Sequence, residues 1–233
     1  MKQHHKVSAA GTAVCALTLL SGLTAPPCHA LPQDGAVVGG AATISQPNPT
    51  TMNINQTSAN AIINWQGYSI GANEAVKYLQ PGSSSIALNR VTGVDPSHIY
   101  GLLSGNGQVW VINPNGLLVG PGATVQTGGF LASTMNITDE NFLSGKYTFT
   151  AAPGSQASIA NQGTISVADG GYVVLAAPSV SNSGTIVANL GTVHLASGDT
   201  ATLTIDNGSL INVAVDGAVA AQALGVTNSG RIS

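Results

Sequence analysis

The chain has 233 residues, of which only 6% are charged while 43% are hydrophobic and 29 are glycine. An ordinary globular protein is about one quarter charged, and a disordered chain is poor in apolar residues, so the composition fits neither. A net charge of −3 with six Lys and Arg in total cannot neutralise a row of phosphates, which argues against nucleic acid and against an anionic membrane surface as partners.

In chain order, the first element is a leader. Lys2, His4, His5 and Lys6 make a basic start, "VSAAGTAVCALTLLSGLTA" follows as an apolar stretch, and Cys28-His29-Ala30 ends it with a small-x-small pattern. This predicts a secretory signal peptide over residues 1–30, cut after Ala30. Both cysteines, Cys15 and Cys28, lie inside it, so the mature chain would carry none and would cross a narrow pore without premature cross-links. No later stretch is apolar for long enough to span a bilayer.

Residues 31–60 carry no recurring phrase and are expected to form an N-terminal β cap. Further on, "QVWVINPNGLLVGPGA" (108–123) sets Asn113-Pro114-Asn115-Gly116 between two runs apolar enough to be buried on both faces. Asn first, Pro second and Gly fourth are the preferences of a type I turn. From residue 161 a five-residue phrase recurs, beginning at Asn161, Asn182, Asp206 and Asn228, with glycine third and Ile or Leu fifth. Short β-branched runs separate the copies: 164–167, 172–177, 185–188, 192–196 and 201–205.

A period of about 22 residues with three short strands per unit describes one coil of a parallel β-helix. The first residues of the phrase, Asn161, Asn182, Asp206 and Asn228, are then expected to stack as a hydrogen-bonded ladder at one corner. The glycine would supply a positive φ there, and the fifth residue would point inward. Residues 61–233 at this period amount to some nine coils including the cap, or roughly 40 Å of stack. Because the sequence stops just after a repeat phrase, a longer parent protein is expected.

The first half adds a series of blocks: "NAIINWQGYSIGANEAVKYLQ" (60–80), "LNRVTG" (88–93), "GNGQVWVINPNGLLVG" (105–120) and "TGGFLASTMNITDENFLSG" (127–145). In this order they resemble the secretion domain of the filamentous-haemagglutinin family, the exoproteins of two-partner secretion (TPS), and most of all the high-molecular-weight adhesins. The resemblance covers about residues 35–195. It implies a right-handed parallel β-helix that reaches the periplasm by the general secretory route. An outer-membrane transporter with POTRA domains would recognise it unfolded, and folding outside a Gram-negative cell would help draw the rest across. Asn113, Pro114, Asn115, Gly116 and Leu117 match the family's Asn-Pro-Asn-Gly-Ile phrase, with Leu for Ile. A second family phrase, Asn-Pro-Asn-Leu, is missing. Two readings of the matched phrase stand open: a tight corner needed only for folding, or a signal read by the transporter.

An enzyme is not expected. Polysaccharide-cleaving β-helices need clustered carboxylates, and here the acids are scattered, with only Asp139 and Glu140 adjacent and expected on opposite faces of a strand. His98 and His194 stand without companions at metal-ligand spacing, and Trp65, Trp110, Phe130 and Phe149 read as core or cap packing. No metal or cofactor is expected. The main alternative is an adhesin whose β-helix itself binds host glycan or protein; the payload of the parent, and any host-surface contact, would lie downstream.

Overall fold

The computed structural model describes residues 30–206, 209–216 and 225–233. The leader predicted over 1–30 lies almost wholly outside these residues. The stack rests on three sheets that wind around one core. The largest runs Ala36–Gly39, Asn60–Trp65, Ile86–Val91, Gln108–Ile112, Gly129–Ser133, Tyr172–Ala176 and Thr192–Ala196. Its strands pair in parallel from Asn60–Trp65 onward. The chain therefore meets this face six times as a coil, in a parallel β-solenoid.

The N-terminal cap is built by reversing direction. Ala36–Gly39 lies antiparallel on Asn60–Trp65, and Ala42–Asn48 lies antiparallel on Thr51–Gln56. The first coil thus meets strands of the opposite sense, so its edge is already paired and offers no open ladder to another chain.

Six coils fall short of nine because the chain twice leaves the stack. The first detour, after Gly129–Ser133, carries the short helix Asp139–Leu143 and the strand Tyr147–Thr150. The second, after Thr192–Ala196, carries the hairpin Thr200–Asp206 and Ser209–Asp216, which pairs antiparallel with Tyr147–Thr150. Together the detours make a small three-stranded sheet. Asp139 and Glu140 accordingly sit in the first turn of a helix capped by Thr138, where carboxylates oppose the helix dipole, and not on a strand.

This side sheet explains the non-alternating sequences. One face of the large sheet lines the interior with Ile63, Trp65, Val109, Val111, Phe130, Val173 and Leu175. Its other face, with Ile62, Leu88, Trp110, Leu131 and Val174, packs against Phe142, Tyr147, Phe149, Leu203 and Leu210 of the detours. Trp110 is the hub, with ring centroids 5.6 Å from Phe142, 5.0 Å from Tyr147 and 5.8 Å from Phe149. The strands read "VWVI" and "YVVLA" because both of their faces are covered.

Candidate functional site

The Asn113–Leu117 corner joins the large sheet to a second sheet in which Leu117–Val119 pairs with Ser97–Ile99 on one side and Ser158–Asn161 on the other. Asn113 is wholly buried. Its Nδ2 donates to the Asp95 carbonyl at 3.0 Å and to Ser97 Oγ at 2.9 Å, while its Oδ1 accepts the Asn115 N–H at 2.9 Å. Gly116 N–H closes the turn onto the Asn113 carbonyl at 3.0 Å. Gly116 has φ +114°, and a Cβ there would stand 3.1 Å from the Ser158 carbonyl oxygen, so glycine is required on two counts. Leu117 is buried in the core.

Of the five residues, Asn115 is exposed and Pro114 partly so. The Asn115 Nδ2 donates to the Gly93 carbonyl at 2.9 Å, tying the corner to the loop of the preceding coil. That loop presents Val94, 82% exposed, and His98 stacks on Tyr100 just beyond it. The motif is thus a clamp between successive coils with one polar side chain at its surface.

The predicted ladder is present in three of its four positions. Asn161 Nδ2 donates to Asn182 Oδ1 at 2.8 Å, and Asn182 Nδ2 to Asn228 Oδ1 at 2.8 Å. Asp206 does not belong to it: its backbone lies opposite Ser209 in the side hairpin, and Asn228 takes the next place in the column. The phrase at 206–210 imitates a coil corner but sits at the tip of an antiparallel hairpin, where Asn-Gly also satisfies a tight turn. The glycines of the phrase have a different role from the expected one. Gly163, Gly184 and Gly230 are not in the positive-φ region. They are needed because a Cβ on Gly163 would meet the Gly120 carbonyl at 2.6 Å, on Gly184 that of Gly163 at 2.2 Å, and on Gly230 that of Gly184 at 2.1 Å. Backbone stacks directly on backbone at this corner. The inward fifth residues Ile165 and Ile186 are wholly buried, as expected, whereas Ile232 is exposed.

Sequence reasoning missed two other polar arrays. In one, Trp65 Nε1 donates to Asn89 Oδ1 at 3.0 Å, the Tyr78 hydroxyl donates to the same oxygen at 2.6 Å, and Tyr68 bonds Tyr78 at 2.9 Å. In the other, Gln80 Nε2 donates to Gln56 Oε1 and to the Ser85 and Gln108 carbonyls, each at 3.1 Å. Burial pushes the hydroxyls of Tyr68, Tyr78 and Tyr172 well above the ordinary tyrosine value. A further pin joins the stack to the first detour: Arg90 reaches Asp139 Oδ1 at 2.7 Å, the Ile137 carbonyl at 2.6 Å and Asn136 Oδ1 at 3.0 Å. An open cleft of about 470 Å³ lies beside it, lined by Asn141, Thr148 and Thr150 among others. His98 is exposed and His194 half-buried, and burial lowers the His194 pKa. Among the described residues no group of three or more His, Cys, Asp and Glu could hold a metal.

Comparison with known proteins places this geometry. The profile of the TPS secretion domain matches residues 29–233. The chain belongs to the TPS secretion-domain family. It is 34% identical over 227 residues to a heme/hemopexin-binding protein of Haemophilus influenzae, covering 93% of this chain and 25% of that protein. A second protein of that name from the same species is 37% identical over 134 residues, covering 58% of this chain and 14% of the relative. The chain thus spans a quarter or less of the curated relatives it matches.

Among solved structures, the HMW1 secretion domain from Haemophilus influenzae superposes with a TM-score of 0.78 at 37% identity, over 86% of this chain and 53% of that one. The filamentous hemagglutinin secretion domain shares the fold, with a TM-score of 0.56 at 14% identity over 87% of this chain and 75% of the other. The TPS domain is the secretion domain of a large exoprotein of Gram-negative bacteria, which implies a TPS transporter as its partner.

Proposed function

We propose that this TPS domain is recognised by a cognate outer-membrane transporter through periplasmic POTRA domains, and that the Asn113–Leu117 corner nucleates β-helix folding outside the cell. The protein it heads is then secreted or displayed on the cell surface by way of the periplasm. The observation that carries the reading is the clamp itself. Asn113 is buried and bonds two residues of the preceding coil, so the corner forms only as that coil is laid down, the property required of a folding nucleus. Asn115, exposed and peripheral, is the residue through which recognition can be separated from folding.

The test is co-expression of residues 1–233 with and without the transporter encoded beside it, assaying the culture medium. Transporter-dependent release supports the reading, and retention in the periplasm with the transporter present overturns it. Asn113→Ala orphans the Asp95 carbonyl and Ser97 Oγ, and is expected to cost about 1–3 kcal/mol and to lower release through folding. Asn115→Ala is expected to fold with a loss of about 1 kcal/mol or less. If it then fails to be exported, the transporter reads this side chain; normal export leaves the motif with folding alone. The activity of the parent, adhesive or heme/hemopexin-directed as in the relatives' names, is assigned to sequence downstream of this domain. Binding of host glycan or protein by the isolated released domain would instead favour the adhesin alternative.

A further inference from the structure

Glu74 is a carboxylate almost out of solvent, 6% exposed, set against the first described residues of the chain. Both of its oxygens accept the N–H of Ala30, at 3.0 and 3.1 Å, and Oε2 also accepts the N–H of Gly71 at 2.7 Å. The segment that follows cannot drift. Leu31 is 6% exposed and belongs to the main core, and Gln33 exchanges backbone hydrogen bonds with Gly67 and Gln66 at 2.8 and 3.0 Å. A two-oxygen grip on a single nitrogen is the geometry of a carboxylate facing an ammonium, and an amide N–H fills it with one proton only.

We propose that Glu74 is the docking site for the α-ammonium of Leu31, created when the leader is removed after Ala30. The Leu31 nitrogen is one residue along the chain from the nitrogen Glu74 already holds, roughly 3–4 Å away. Its side chain anchored in the core keeps it there once Ala30 is gone. The new ammonium moves into the place of the Ala30 N–H, giving the buried carboxylate a full opposite charge and a donor for each oxygen. Processing thereby completes the N-terminal coil, and the mature chain holds this end more tightly than the precursor does. The assignment rests on the processing step that the secretion reading requires.

Mass spectrometry of the released product first identifies its opening residue. A start elsewhere than Leu31 overturns the processing reading and this assignment with it. With Leu31 first, labelling of the α-amine by an amine-acylating reagent at pH 7 is compared between wild type and Glu74→Gln. A rate about tenfold or more faster in Glu74→Gln is expected, since one pKa unit changes the reactive fraction tenfold. Equal rates overturn the ion pair and leave processing intact. Should Glu74→Gln fail to fold, the pH dependence of labelling in the wild-type product decides. An apparent pKa at least one unit above the roughly 8 of a free N-terminus supports the site, and a value at or below 8 overturns it.

Discussion

In the C-terminal coils the interior corner is held by one residue type in one column, Asn161, Asn182 and Asn228. In the N-terminal coils the same demand, partners for buried backbone groups where the chain turns, is met by Gln56 and Gln80 at one corner and by Asn89 among Trp65, Tyr68 and Tyr78 within. The first device repeats because each Asn satisfies the next, so every coil can add another. The second is a closed set: each member has a different partner, and none can be extended by copying. Identical residues suit a region that grows by repetition, and a heterogeneous network suits one that must form in a single register beside a cap.

The two devices differ most in how they titrate. Tyr68, Tyr78 and Tyr172 keep their protons in the fold beyond the ordinary range, because burial disfavours the phenolate. The unfolded chain loses the same protons near pH 10, so it binds fewer protons than the native state above that pH. Stability is therefore expected to be level below about pH 10 and to fall above it, by up to about 4 kcal/mol per pH unit for three groups. The asparagine column contributes nothing to this slope. Urea unfolding midpoints between pH 8 and 11.5 check it, and a level profile to pH 11.5 would remove the tyrosine network as the distinguishing device.

Contact with backbone gives the next largest effect. Gly184→Ala would place a Cβ 2.2 Å from the Gly163 carbonyl oxygen, and coils locked in a ladder cannot separate locally, so a loss of about 3 kcal/mol or more is expected. Gly122→Ala is the control: its φ is +80° but nothing lies within 4 Å of the added carbon, so only backbone strain of about 1 kcal/mol applies. Thermal unfolding of the pair separates crowding from conformation, and equal losses would return the phrase glycines to the conformational role first assigned to them.

Much of this was legible because the C-terminal coils repeat. Thr164–Val167 and Thr192–Ala196 coincide with the strands expected there, and the Asn column follows from the phrase. Asp206 misled because an Asn-Gly turn serves a hairpin as well as a coil corner, and pattern alone does not tell stacking from reversal. The side sheet was hidden for a related reason. "ATLTI" has the strand pattern of a coil, and only the double-sided burial of Trp110 and Tyr172 shows that another layer must cover them. In the N-terminal half the network residues share no identity, so no period announces them. The motif at Asn113 was visible as a turn, but its clamp on Asp95 and Ser97 needed three dimensions.

Single deletions in each device should differ by about the number of partners stranded. Asn89→Ala leaves the Trp65 N–H and the Tyr78 hydroxyl without their shared acceptor in a dry interior, and is expected to cost about 3 kcal/mol. Asn182→Ala strands one donor, on Asn161, and one acceptor, on Asn228, the latter near solvent, for about 2 kcal/mol. Chemical denaturation of the two variants measures the gap. A larger loss at Asn182 would mean that the column is cooperative beyond its nearest neighbours.

The smallest effect expected is at the pin between stack and detour. Asp139 is 48% exposed at its side chain while Arg90 is 12% exposed, with Arg90 also bonded to Asn136 and the Ile137 carbonyl. Asp139→Asn removes one charge from an ion pair that water already screens and leaves the other Arg90 bonds in place, so the global loss should be about 0.5–1 kcal/mol. The local consequence is more telling. If the detours are an apolar lid that the stack needs, amide exchange should quicken in 137–150 and in the hairpin Thr200–Asp206 paired with it, while the Asn161–Asn182 corner stays protected. Quickening along the Asn column as well would show that the lid and the stack unfold as one unit, and that the covered face of Trp110 is as much a part of the helix core as the interior.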